Sequence, residues 1–336
     1  RNSVMRDKFE HCSFSILCLL LVFVAVLSAG CHHRSNQTET KQSYSVVDST
    51  GYRTVFAKKP KRVLGYNLTY NTMILGIVPP DYLVAKSYLD KDEKISYIAE
   101  ATKNIQTEYR LFKNLSVEGI LKMAPEVIFL PDTIDKKMVE TLRSMGIAVI
   151  ICKGPNTIQD TRDSILLIAR ALGEEDSGKR VIREMDKQLA EVSDRIKIPK
   201  NKQPVAMLVS RMRQYGGIGC MYDDLCKYAG VRNAISMMGI KYGETVTKEA
   251  VVASDPDLFF VSSGRDYEEK IDVEFRKEFM EDPAFENLKG LNRVINIPDR
   301  YIYSNSQNCV YAIKGIHNFV YGPVFDLCGE ALIKGY

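Results

Sequence analysis

A stretch of about forty residues, Thr157 to Ile198, reads as helix throughout except for a break at Gly173, and it divides two runs of alternating strand and helix. In its second part, Glu174 to Ile198, residues Val181, Met185, Leu189, Val192 and Ile196 fall at helical spacing, and Pro199 and Pro204 close it. Roughly 24 residues rising 1.5 Å each span about 36 Å, the width of a small domain. The apolar seam is not sustained over enough heptads for a coiled coil.

Before this segment, Tyr44–Val47 and Tyr52–Phe56 flank a Ser-Thr-Gly turn and form a short hairpin. Strand Arg62–Tyr66, helix Thr69–Leu75 and strand Tyr82–Lys86 follow. Next come helix Ser116–Met123 with Ser116 as N-cap, strand Val127–Leu130, helix Asp135–Met145 and strand Ile147–Ile151. After it come strand Val205–Ser210, helix Met221–Ala229, strand Leu258–Val261, helix Asp272–Met280, strand Arg293–Ile297 and a long closing helix Val310–Ile333. Such alternation implies parallel βαβ units with sheets covered on both faces. The halves also echo each other. Ser116-Val-Glu-Gly-Ile-Leu-Lys-Met-Ala-Pro-Glu-Val-Ile-Phe parallels Thr247-Lys-Glu-Ala-Val-Val-Ala-Ser-Asp-Pro-Asp-Leu-Phe-Phe, a capped helix with an early glutamate, then proline, an acid and a buried strand. The expected fold is α/β: two Rossmann-like lobes with parallel sheets, 45–156 and 200–336, joined by one long helical connector, 157–199.

A length of 336 residues fits two globular units, and 45% hydrophobic with 26% charged residues indicates a folded chain. The formal net charge of +4 is spread without a basic block, which argues against a nucleic-acid partner. At the N-terminus, Arg6 and Lys8 precede an almost wholly apolar run from Phe14 to Leu27, short for a bilayer span. Ser28, Ala29 and Gly30 then lead into Cys31, which resembles the lipobox of bacterial lipoproteins, although the aliphatic Leu27 sits one position early. Residues 1–30 are thus expected to be a signal peptide and polar 31–44 a flexible tether acylated at Cys31; a plain secretory signal is the alternative. The five later cysteines, Cys152, Cys220, Cys226, Cys309 and Cys328, show no CxxC spacing and read as small buried hydrophobes, with a Cys220–Cys226 or Cys309–Cys328 bridge left open.

The chain resembles the periplasmic-type binding proteins that serve importers of ferric siderophores, haem and cobalamin, the class with a single linking helix. The resemblance runs from Tyr52 to about Phe325. It rests on KPKRVLGYN, the two helix-Pro-acid-strand segments, AGVRNAI, and DPAFENLKGLNRVINIPD. It implies a monomeric, non-enzymatic capture protein on the outer face of the cytoplasmic membrane, with an ABC permease and its ATPase as partners and no cofactor of its own. It also implies a ligand cleft between the lobes, on loops at the carboxyl ends of the strands. Docking on the permease falls to one exposed glutamate per lobe, here Glu118 and Glu249; first-turn acids also simply favour the positive end of a helix.

Following each strand to its end gives the candidate ligand contacts. They are Tyr66, Asn67, Tyr70, Ser87 and Tyr88 from lobe one, and Arg211, Arg213, Tyr215, Arg265, Tyr267, Tyr301 and Tyr303 from lobe two. Phenol rings pack against flat chelators and their oxygens are hard donors suited to ferric iron, while guanidinium groups grip carboxylate or catecholate oxygens. No residue is assigned as a direct metal ligand, and with 18 tyrosines most must be packing or surface residues. His317 is the lone histidine of the body, so a bare zinc site lacks ligands. A ferric siderophore heads the list of cargoes, with cobalamin, haem or a molybdate-type oxyanion as alternatives. An enzyme finds little support. Gly216, Gly217 and Gly219 mimic a dinucleotide loop, but Tyr222 occupies the place of its last glycine. A surface adhesion lipoprotein is the remaining reading from another class.

Overall fold

The computed structural model describes residues 43–111, 115–210, 212, 214–262, 274 and 277–336. The signal peptide, Cys31, Arg211, Arg213, Arg265 and Tyr267 lie outside the described residues, as do residues 272, 273, 275 and 276 of the helix expected at Asp272–Met280. Residues Ser43–Tyr336 form one compact unit. Among the described residues no helix is long and apolar enough to cross a membrane.

The chain enters through an antiparallel hairpin, β1 (Tyr44–Val47) and β2 (Arg53–Phe56), in register Tyr44 to Phe56. Lobe one follows with β3 (Val63–Gly65), α1 (Leu68–Ile77), β4 (Lys86–Ser87), α2 (Ala99–Thr102), β5 (Glu108–Tyr109), α3 (Val117–Met123), β6 (Val127–Pro131), α4 (Lys136–Ser144) and β7 (Ala148–Cys152). Its sheet has the parallel order β3-β6-β7, with β4 and β5 as a separate parallel pair. The central strand, Val127-Ile-Phe-Leu, is buried along its whole length, as a parallel strand covered on both faces must be. The strand expected at Tyr82–Lys86 is mostly absent. Pro80–Tyr82 forms a 3₁₀ turn instead, and only a bridge between Val63 and Leu83 remains before β4.

The helical segment is two helices, not a rod. α5 (Ile158–Leu172) ends at Gly173, whose φ of +69° only glycine adopts readily, and α6 (Glu175–Arg195) begins two residues on. Gly178 on α6 lies against Ala169 on α5 so closely that a β-carbon there would overlap it. Because α5 packs on α1, β1 and β7, the crossing element is α6 alone.

Lobe two comprises β8 (Val205–Val209), α7 (Met221–Ala229), β9 (Arg232–Asn233), α8 (Ala234–Met237), α9 (Lys248–Ser254), β10 (Leu258–Ser262), β11 (Val294–Ile297), α10 (Asp299–Ile302) and α11 (Cys309–Tyr321). Its parallel sheet runs β11-β10-β8-β9. The internal echo reaches the backbone. Ser116 and Thr247 cap α3 and α9 with their hydroxyls, and both helices end in a non-glycine residue at positive φ, Ala124 at 50° and Asp255 at 32°.

The long closing helix is a correction. α11 stops at Tyr321 because Gly322 takes φ +95° and Pro323 follows. The remaining chain returns to lobe one, where Gly335 N–H donates to Gly76 C=O at 2.8 Å and Gln307 donates to Thr72 C=O at 2.7 Å. Cys152, Cys220, Cys226 and Cys309 are free and buried, while Cys328 is free and exposed. His317 is a packing residue, its Nδ1 2.9 Å from Ala229 C=O and its ring against Tyr321 and Phe325.

Candidate functional site

The loops that leave the carboxyl ends of the two sheets touch each other. Asn305, beyond β11, donates to Pro155 C=O, beyond β7, at 3.2 Å. Arg300 donates to Glu93 and Ser96 carbonyls in the loop after β4. In open parallel sheets this edge is where ligands bind, because strand-end loops vary without disturbing the core.

In lobe one the site residues are held by α1 and its neighbours. Asn67 is the N-cap of α1, its Oδ1 accepting from Tyr70 N–H at 3.3 Å. Tyr66 is half-buried and meets Tyr70 edge-on, ring centroids 6.5 Å apart. Tyr88 is half-buried with the Arg110 guanidinium 4.8 Å over its ring. Tyr70, by contrast, is only 2% exposed, and it is corrected from a ligand contact to a core residue. Its position one turn into α1 points it back under the sheet, and burial pushes its phenol pKa far up.

In lobe two, the Tyr215 and Tyr303 rings meet at a tilt, centroids 5.1 Å apart, with Tyr222 and Tyr242 also packed on Tyr215. The hydroxyls here are engaged. Tyr215 donates to Ile302 C=O at 2.8 Å, and Tyr303 is 2.6 Å from Ser210 Oγ. Tyr215 is thus corrected as well: it is 8% exposed, its hydroxyl is committed, and only its ring reaches the cavity described below. Tyr301 is also corrected. It sits in α10, not at a strand end, is 7% exposed, and its hydroxyl donates to Glu330 Oε1 at 3.0 Å. Glu330 takes a second phenol, from Tyr97 of lobe one, at 3.2 Å, and an ion pair from Arg300 at 3.7 Å.

Sequence reasoning missed a cavity of about 430 Å³ beside these tyrosines, lined by Met207, Leu208, Val251, Phe279 and Phe285 together with Ser210, Met212, Tyr215, Thr247 and Lys248. β8 is an unbroken apolar run, which tells that it is covered but not that the described residues leave space against it. Gly217 packs so tightly on the backbone of Ile240 and Lys241 that no side chain fits, and Gly216 and Gly219 take positive φ, which accounts for this glycine run without a nucleotide. Among the described residues no cluster of metal-ligating side chains occurs.

Glu118 and Glu249 occupy equivalent first turns of α3 and α9 and are both fully exposed. A hydrogen bond and charge from Lys122 hold the Glu118 carboxyl below its usual range, and hydrogen bonds from its own N–H and Thr247 do so for Glu249. Each lobe thus shows one ionised carboxylate at the same place in the fold.

Residues 69–301 match the model of a family described as periplasmic binding protein. Relatives in Bacillus subtilis (strain 168) include a protein provisionally named as the ABC transporter substrate-binding lipoprotein YhfQ, 24% identical over 86% of this chain and 92% of its own. Another is the Fe(3+)-citrate-binding protein YfmC, 26% identical over 82% and 86%. Solved structures of like fold include the periplasmic heme-binding protein RhuT from Roseiflexus sp. RS-1 in apo form. It aligns with TM-score 0.63 and 20% identity over 77% of this chain and 98% of that one. A periplasmic binding protein from Veillonella parvula aligns with TM-score 0.66 and 16% identity over 83% and 98%. With a match that covers more than half of its length, the chain belongs to the periplasmic binding protein family.

Proposed function

We propose that this chain is the capture component of an importer for a ferric chelate, held outside the cell membrane by an acylated Cys31. The coarse part follows from the family: a substrate-binding protein that works extracytoplasmically with an ABC permease and its ATPase, and not an enzyme. The observation that carries the finer part is the composition of the facing loops. Half-buried Tyr66, Tyr88 and Tyr303 rings lie on strand-end loops, and lobe two adds a cavity lined by Tyr215, aromatic surface suited to a flat chelate. The names of two relatives, the Fe(3+)-citrate-binding protein and an iron-uptake system-binding protein, support an iron cargo. Arg211, Arg213 and Arg265 are proposed to grip its acidic oxygens, and Glu118 and Glu249 to meet cationic groups on the permease.

The test is a fluorescence-quench titration of the chain with ferric citrate, ferric catecholate and hydroxamate chelates, haem, cobalamin and molybdate. Saturable quenching by an iron chelate, weakened about tenfold or more in Tyr66→Ala or Tyr303→Ala, is the expected result. Saturation by molybdate or cobalamin alone would replace the ferric cargo. Silence from a folded chain across all of them would overturn the assignment.

A further inference from the structure

Beneath the lobe-one wall lies a buried polar cluster that the ligand reading does not use. It joins the ends of three strands to α1. Asn71 Nδ2 donates to Asp90 Oδ2 at 2.7 Å and to the Tyr109 hydroxyl at 3.0 Å. Tyr109 in turn donates to Gly65 C=O at 2.5 Å, and Ser87 N–H donates to the same Asp90 Oδ2 at 2.8 Å. Asn71, Asp90 and Tyr109 are all 0% exposed. Gly65 is required at the end of β3, since any β-carbon there would overlap Asn71 Oδ1.

Two oxygens remain unpaired: Asn71 Oδ1 and Asp90 Oδ1, both buried without a donor among the described residues. Flipping the amide does not help. It would set Asn71 Oδ1 against the carboxylate and against a Tyr109 hydroxyl whose proton is already committed to Gly65. A buried carboxylate oxygen with no donor is costly in a dry interior. A proton on Asp90 Oδ1 removes the buried charge and turns that orphan acceptor into a donor, while Oδ2 goes on accepting from the Asn71 amide and Ser87 N–H.

We propose that Asp90 is a neutral carboxylic acid paired with the Asn71 amide, and that this pair is the positioning device for the lobe-one ligand loops, Tyr66–Asn67 and Ser87–Tyr88. The positioning role rests on the reading of those loops as the cleft wall; the protonation state does not. The charged and titratable neighbours are few. α1 contributes only the neutral Asn71, β4 contributes Lys86, and β5 contributes Tyr109 and Glu108, the latter neutralised by Lys91 at 2.6 Å. Burial outweighs the hydrogen bonds from Asn71 and Ser87 and the charge of Lys86, and raises the Asp90 carboxyl to about 7. A folded-state value above the unfolded one makes the contribution to stability complete below about pH 4. It is lost as pH rises through about 7, where the acid ionises in a fully buried site.

The experiment compares the full chain with Asp90→Asn, which replaces the acid–amide pair by an amide–amide pair of the same shape that cannot titrate. In wild-type protein, infrared difference spectra between mildly acidic and alkaline buffer are expected to show a protonated-carboxyl C=O band that is missing from D90N. Hydrogen exchange at residues 66–67 and 87–89, corrected for intrinsic rate, is expected to speed up about tenfold between about pH 6 and pH 8 in wild type and stay flat in D90N. Absence of the band in wild type, or a D90N chain that unfolds while wild type lacks the band, means Asp90 is ionised and overturns the proposal. A band with pH-independent exchange overturns the positioning role alone. Ferric citrate is titrated in parallel; failure to bind either protein counts against the proposed cargo and leaves the exchange result to decide this one.

Discussion

The two lobes share a topology but secure their ligand loops in different ways. Lobe one uses a buried network in which Asn71, Asp90, Tyr109 and Gly65 tie three strand ends to one helix. Lobe two groups Tyr222, Tyr242 and Tyr303 around Tyr215 at tilted and edge-on angles beside the cavity, and buried Asn233 ties Gly216 C=O to Asp223. Hydrogen bonds are directional and leave few alternative arrangements, whereas aromatic contacts tolerate small slides. The lobe-one loops thus lean on hydrogen bonds, while those of lobe two share the task between hydrogen bonds and ring packing.

The largest expected contrast is between two glycines. Gly65→Ala forces a β-carbon into Asn71 and should cost about 3 kcal/mol, while Gly219→Ala meets open space and bears only the strain of its φ of +80°, about 1 kcal/mol. Urea unfolding midpoints of the two variants measure the gap, and equal midpoints would break the comparison. Next come the phenols. Tyr109→Phe leaves both Gly65 C=O and Asn71 Nδ2 short of a partner and should cost about 2 kcal/mol, against about 1 kcal/mol for Tyr215→Phe, which loses one bond to Ile302. Tyr301→Phe is expected to lower stability by about 1 kcal/mol and leave the affinity for ferric citrate unchanged, because its hydroxyl serves Glu330. An affinity loss above threefold would return Tyr301 to the ligand site. The smallest structural effect is at the exposed glutamates. Glu118→Ala and Glu249→Ala should keep the unfolding midpoint and the ligand affinity while depressing uptake by cells, and unimpaired uptake in the double variant would remove the docking role.

Much of the fold was legible because the strands of a parallel sheet are buried apolar runs and their helices carry clear caps: Ser116, Asp135 and Thr157 stand where the chain places N-caps. The misreadings lie where distant partners decide. Gly173 marked a break, but nothing local shows that α6 folds back on Ala169. The Gly322-Pro323 stop was visible, yet apolar residues beyond it read as more helix until Ile333 is seen packed against lobe one. The site was harder still. A position near a strand end says that a side chain is close to the ligand edge, not which way it points. Tyr70 turned under the sheet and Tyr301 found a carboxylate 29 residues on. The Asn71–Asp90 pair had no signature at all, since an asparagine in a helix and an aspartate in a loop are both common on surfaces.

The return of the chain to lobe one has a consequence for synthesis. Gly335 bonds to Gly76, and buried Ile333 and Gln307 cover the C-terminal turn of α1, so part of the lobe-one wall is supplied by residues that follow lobe two in the sequence. Domains ordinarily fold in the order they emerge from the ribosome. Here a wall of the lobe made first is closed by residues made after the second, so the two lobes are coupled in folding as well as in the finished structure.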